Sequence, residues 1–301
     1  NLTWKGLVPS LGAVAITAPE LRGTLDDRGI RFYGLESLGS SSSGGEGSSA
    51  LPPVKITDGR VVLVTSAGEI GASVNLEGEF PQSGTLQMTL DPVSLSGPDG
   101  TLVWSEGRID VTASDGQLEG EAFLDLAEAD VRGVQARDVQ LTALLNSPLS
   151  GEGDTQIVWD GDITSAAWGG YAVSEAATRG RAILARLPSS DLDSILTALV
   201  EASAEASAAK VSGSAFAGRD ISLEVDLAGE AGRVTGPILA SASDLEIPQG
   251  RAQAASIRGT LLRSVDGDIG FEADLSTSGT SLNAGTTSQL LDFVNLPDTF
   301  A

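Results

Sequence analysis

Residues 69–80, EIGASVNLEGEF, alternate without a slip. Ile70, Ala72, Val74, Leu76 and Phe80 are apolar, Gly78 stands in the same phase, and the places between hold Glu69, Gly71, Ser73, Asn75, Glu77 and Glu79. A period of two fits a β-strand with one apolar face and one wet face. The chain writes this pattern repeatedly. Leu86, Met88 and Leu90 share a side of TLQMTLD, and Ile109, Val111 and Ala113 share a side of GRIDVTA. Leu118, Ala122, Leu124 and Leu126 alternate with Glu119, Glu121 and Asp125. Ile221, Leu223, Val225 and Leu227 do so against Ser222, Glu224 and Asp226, and Ile269, Phe271, Ala273 and Leu275 against Glu272 and Asp274. Asp58-Gly59, Asp99-Gly100, Asp115-Gly116 and Asp266-Gly267 punctuate the runs and supply the positive φ of tight hairpin turns. The expectation is an all-β, mostly antiparallel chain.

One segment has a different period. In residues 188–210, Leu192, Ile195, Leu196, Leu199 and Val200 recur at i, i+3, i+4, i+7 and i+8. Ser189 or Ser190 suits the N-cap, and Asp191 and Asp193 suit the positive end of the dipole. This predicts an amphipathic helix over 189–209, thinning to Ala and Ser in its second half. Residues 39–53 are rich in Gly and Ser and predict a flexible loop. Strands of one kind flank it, so residues 1–301 read as a single elongated domain. Two echoes support the reuse of one strand pattern. Residues 137–141 (RDVQL) match 219–223 (RDISL), and 21–25 (LRGTL) match 257–261 (IRGTL).

The chemistry available is narrow. The 301 residues contain no Cys and no His. Disulfides, thiolate nucleophiles, Ser-His or Cys-His pairs and imidazole metal ligands are therefore excluded. Ser207 and Lys210 spell S-x-x-K, without the companion motifs of a Ser-Lys enzyme. GEGSSA at 45–50 is followed by Leu51-Pro52-Pro53, where a dinucleotide fold needs a helix. Asp160-x-Asp162 and Asp266-x-Asp268 read as turn chemistry in place of a Ca²⁺ loop. Arg179, Arg181 and Arg186 are read as solvated or paired with Asp191 and Asp193. Trp104 and Trp159 sit in strand patterns as core or face-filling residues, while Trp4 and Trp168 share no spacing with them. The reading expects no catalytic residue, no metal and no cofactor, and hence not an enzyme.

Charge constrains the partners. With 41 acids against 18 bases the net charge is −23, which repels nucleic acid and anionic membrane surfaces alike. No stretch approaches the ~20 apolar residues of a membrane span. The chain opens NLTWKGLVPSLG, without Met or signal peptide, and is expected to be a processed or excised part of something longer.

The apolar faces either meet in a closed core or line one sheet curled into a groove. Periodicity alone leaves both arrangements open. Residues 51–80, LPPVKITDGRVVLVTSAGEIGASVNLEGEF, carry a short strand, the Asp58-Gly59 turn, an apolar strand over 60–65, a Ser-x-Gly turn at 66–68 and the alternating strand quoted above. This run resembles the AsmA-like family of Gram-negative bacteria, especially its YdbH-like and TamB-like members. GRIDVTA, VQARDVQLTALL and SIRGTLLRS extend the likeness across most of the chain. The resemblance implies a long, mostly antiparallel twisted sheet curled into an open groove (a β-taco). It implies periplasmic transport of phospholipid between inner and outer membrane, in a protein anchored in the inner membrane by a segment this chain lacks. The groove lining would then be Ile70, Val74, Leu76, Leu86, Met88 and Leu90, then Ile109, Val111, Leu118, Leu124 and Leu126, and finally Ile221, Leu223, Val225, Ile269 and Phe271. Phospholipid acyl chains would be the cargo. Further segments of the same protein, or a small outer-membrane partner, would join its edges by strand augmentation. The other expectation is a structural or adhesive β-domain of the cell surface with a closed core.

Overall fold

The computed structural model describes residues 2–5, 8–11, 13–26, 29–33, 53–79, 82–98, 100–186, 192–230, 232–264 and 268–283. The loop expected at 39–53, apart from Pro53, and the capping residues Ser189, Ser190 and Asp191 lie outside them.

Strand β1 (Leu2–Lys5) pairs with β2 (Val8–Leu11) as a separate hairpin. β3 (Val14–Thr17) and β4 (Glu20–Asp26) run parallel to β6 (Val54–Thr65), and β5 (Gly29–Phe32) pairs antiparallel with β4. From β6 onward every ladder is antiparallel. β7 (Gly68–Glu79) pairs with β8 (Ser83–Leu90), and β8 and β9 (Val93–Gly97) share one side of β10 (Gly100–Ser114). β11 (Gln117–Val131), β12 (Val134–Pro148), β13 (Glu152–Trp168) and β14 (Tyr171–Arg186) follow as hairpin neighbours. After helix α1 (Leu192–Ala198) come β15 (Leu199–Ser212), β16 (Ala217–Glu230), β17 (Arg233–Ile247) and β18 (Gly250–Arg263). β19 (Ile269–Ser278) and β20 (Ser281–Leu282) share the outer side of β18. Among the described residues no ladder joins β19 or β20 back to β3, β4 or β5. The long sheet is therefore not closed into a barrel, and it keeps two edges.

Turn chemistry sets this meander. Asp115 (φ 50°) and Gly116 (φ 77°) close the β10–β11 hairpin, and Arg132 (φ 51°) and Gly133 (φ 82°) close β11–β12. Two successive positive φ values match the twist of the flanking strands. Each hairpin so fixed locks the register, and with it the face on which every side chain stands.

The strands also change phase together. Asp138 (φ 49°), Glu175 (φ 49°) and Asp220 (φ 44°) stand in β12, β14 and β16 at one height. Asp138 and Glu175 both face Thr164 of β13, and Glu175 and Asp220 both face Ala209 of β15. The ladder skips these positions without losing register. A left-handed residue inside a strand turns the next side chain by one step. The less exposed positions accordingly go from Val139 to Ala136 in β12, and the neighbouring β15 follows the shift without a left-handed residue of its own, from Ala208 to Val211. The spacing is three where a regular strand has two. Asp244 (φ 47°) repeats the device in β17. The RDVQL and RDISL echo is this kink, written twice.

The expected helix over 189–209 is corrected. It spans only Leu192–Ala198, and residues 199–209 belong to β15. From Glu201 the period is two: Ala202, Ala204, Ala206 and Ala208 are half-buried or buried, while Ser203, Glu205 and Ser207 are exposed. Alanine favours a helix in isolation, but this segment lies between β14 and β16 and satisfies the backbone groups of both. Tertiary pairing outweighs propensity here.

The tightest packing lies beside α1. Leu184 and Val234, each 1% exposed, pack with Ala198 and Leu199, flanked by Ile157, Ala182, Ala202 and Leu227. Nearby, the buried hydroxyls of Ser147 and Thr155 stand 2.8 Å apart. Arg263, also buried, donates from Nη1 to the Gly232 carbonyl oxygen at 2.8 Å. Burial without such partners would cost each polar group about 1–3 kcal/mol.

Candidate functional site

Ladder registers assemble the apolar positions into rows that cross the sheet. One row runs Val74, Met88, Ile109, Ala122, Ala143, Trp159, Gly180, Ala204, Val225, Ile238, Gly259, Ala273, stepping one strand at a time from β7 to β19. A second row carries Leu90, Leu124, Leu141, Leu223, Ile257 and Leu275, and a third carries Leu76, Leu86, Val111, Leu145, Ile157 and Phe271. No charged residue interrupts any of the three. At ~4.8 Å between strands, twelve strands make an apolar track about 50 Å long.

The track is flanked but not filled. Leu223, Leu141 and Ile257 are partly open to solvent, and the exposure rises to 54% at Phe271 and 65% at Leu275 on β19. Among the described residues α1 is the only helix, and it meets the face at one margin, against β14 and β16. Its Ala198 is buried there, Leu196 is half-buried and Ile195 is exposed. Large rings lie flat where the neighbouring strand offers a glycine. A methyl at Gly180 would overlap the Trp159 ring, and one at Gly259 would overlap Phe271. These glycines are needed for close approach.

The opposite face is polar. Lys55 pairs with Glu77 at 2.7 Å, and Arg179 donates from Nε to Glu205 at 2.9 Å. The Glu205 carboxylate raises the Arg179 guanidinium above its ordinary range, chiefly through that hydrogen bond. Arg179 is thus held by Glu205 across β14 and β15, because strand pairing brings residue 205 opposite residue 179; Asp191 and the side chain of Asp193 lie outside the described residues. Surface wells also lie on this face. One is bordered by Asp160, Asp162, Arg179, Glu205, Ser222 and Glu224. They are shallow and mixed in charge, whereas the apolar side presents a continuous strip.

Of the sixteen residues expected to line a groove, the registers place Val74, Leu76, Leu86, Met88, Leu90, Ile109, Val111, Leu118, Leu124, Leu126, Leu223, Val225 and Phe271 on one face, with Ile70 and Ile221 in phase with them. Ile269 stands opposite Arg263 in the ladder, and its side chain lies outside the described residues. Sequence reasoning missed Leu141, Leu145, Ile157, Ile238 and the small residues of β14 and β15. Adjacent leucines at 144 and 145 blur the phase of β12, and the leucines before β15 extend a helical period into it. The repeated Arg-Asp pair was the signal that could have recovered the phase.

Among the described residues no group of three or more His, Cys, Asp or Glu could hold a metal ion. Ser207 and Lys210 both belong to β15, where Ser207 faces Ser222 and Lys210 faces Arg219. Trp104 is buried and donates from Nε1 to the Asp91 carbonyl oxygen at 2.8 Å, a structural role. No helix of the described residues is long and apolar enough to cross a membrane. Comparison of the chain with protein-family models, curated proteins and solved structures returns no match.

Proposed function

We propose that this chain conducts phospholipid acyl chains along its apolar face, as a segment of an AsmA-like bridge in the periplasm. The observation that carries the reading is the apolar track itself. It crosses twelve strands without a charge, and its side chains are left partly open to solvent. A closed-core β-domain would bury those rows against a second layer. The row of left-handed acidic residues adds support, since kinks set at one height on alternate strands of one sheet are a device by which a sheet acquires a curl.

The energetics suit such cargo. Moving a methylene out of water is worth ~0.8 kcal/mol, so a sixteen-carbon chain gains on the order of 12 kcal/mol gross on an aliphatic lining. That sum holds a lipid out of water, while a lining of Leu, Val, Ile and Ala offers no deep well to trap it. The acidic opposite face keeps the segment wetted.

Two measurements test this. Native mass spectrometry of gently purified chain should find bound phospholipid. A photo-crosslinker at Val74 or Leu76 should capture acyl chains in cells, and the same probe at Asn75 or Glu77 should not. Leu76→Asp should impair lipid loading more than Glu77→Lys, because it sets an ionised group on the lining. Equal capture at both parities, or equal effects of the two substitutions, would sink the proposal.

A further inference from the structure

The strand ends away from α1 carry an aromatic cluster that packing inside the fold does not require. Trp168 and Tyr171 flank the Gly169-Gly170 turn, with ring centroids 6.4 Å apart, and Phe216 lies 5.5 Å from Tyr171. Val134 is the ladder partner of Trp168. Val134, Trp168 and Tyr171 stand in phase with Ala136, Ala166 and Val173, so the cluster forms the rim of the apolar face beyond the kink. Trp168 is 49% exposed and Phe216 36%. Exposed rings that join an apolar body to an indole or phenol handle suit a water–hydrocarbon boundary.

A second observation lies on the other face, just behind the rim. Lys210 and Arg219 are direct cross-strand partners, both exposed, and no described carboxylate lies within 4 Å of either. Like charges placed directly opposite each other are unfavourable unless an anion joins them. Lys210 borders two wells, one also reached by Arg137 and Asp130, the other by Arg219 and Asp244. Each well thus presents a cation for a phosphate and a carboxylate for an ammonium. Gly213 at the tip is three residues on from Lys210, about 10 Å along a strand. A headgroup layer is ~5–8 Å deep on each side of a bilayer, so the rings can reach the acyl boundary while the cations meet phosphate.

We infer that this rim docks on the interfacial layer of a zwitterionic phospholipid bilayer, with Trp168, Tyr171 and Phe216 seated at the boundary and Lys210 and Arg219 on lipid phosphates. The mixed charge of the wells and the net charge of −23 select zwitterionic over anionic lipid. The inference does not rest on acyl-chain conduction, since a rim can dock whether or not the face behind it carries lipid.

The test is co-sedimentation of the full chain with vesicles of phosphatidylcholine and phosphatidylethanolamine. The native chain should bind, and replacing part of the lipid with phosphatidylglycerol should weaken binding. The double variant Trp168→Ser, Phe216→Ser should lose about tenfold or more in partitioning, while Trp168→Phe retains most of it. Lys210→Glu with Arg219→Glu should weaken binding as well. Both ring positions are exposed, so an unchanged circular dichroism spectrum accompanies the loss. Undiminished binding by the double serine variant would overturn the inference. So would full displacement by millimolar inorganic phosphate, which would mark a free-anion site. Acyl load, read by native mass spectrometry on the same variant, should match that of the native chain. Its absence in both chains would count against conduction and leave the docking result standing.

Discussion

At the scale of single residues, the fold depends on a few positions whose backbone is unusual for their type. Asp138 and Asp220 adopt a left-handed conformation that most side chains avoid, while a short polar side chain tolerates it. Glycine would adopt it freely, and a β-branched residue would not. Asp138→Val should therefore lower stability by about 1–2 kcal/mol, and Asp138→Gly should be near neutral. Urea unfolding of the two variants checks this. Equal midpoints would mean that β12 is straight at residue 138. The same local geometry explains why strict alternation misplaces residues beyond the kink: Ala136 and Val139 are three apart and both half-buried.

At the scale of elements, α1 is short, and its stabilising contacts come from its junction with β15. Ala198 and Leu199 pack against Leu184 and Val234, and this cluster seals one margin of the apolar face. Leu184→Ala should cost about 2–5 kcal/mol, as for other fully buried leucines. Leu141→Ala, on the open part of the same face, should cost much less. Thermal unfolding of both compares them directly. Similar losses would indicate that the open part of the track is packed as tightly as the margin. The helix itself was legible in sequence from Leu192, Ile195 and Leu196, but its end was not. Residues 201–208 alternate Ala with Ser or Glu, a pattern compatible with a weak helix or a half-buried strand. Only the ladders with β14 and β16 decide between the two.

At the scale of the whole molecule, the open edge at β19 has an exposed apolar side and a row of backbone groups with no strand beyond it among the described residues. Such an edge is a template for another strand. We expect it to accept a further β-segment or a small partner. Proline at Ala273 or at Asp274 separates the two hydrogen-bonding directions of β19. One of these variants should keep the melting temperature of the native chain while losing association with an added strand or a second copy. If neither proline weakens association measured by analytical ultracentrifugation, the edge does not dock.

The all-β class, the apolar side of each strand and the exclusion of thiol and imidazole chemistry are all legible in the bare chain. They follow from the period of two and from residue types that are present or absent, both local properties. The extent of the apolar rows is not local, because a row exists only once hairpin registers align Val74 with Met88, Ile109 and their successors. Nor is the strand at residues 199–209, where backbone hydrogen bonds to two neighbours outweigh the helical preference of alanine. The meeting of Trp168, Tyr171 and Phe216 at one rim likewise belongs to the tertiary fold. The residues between them in the chain form β14 and β15, and only strand pairing brings their ends together.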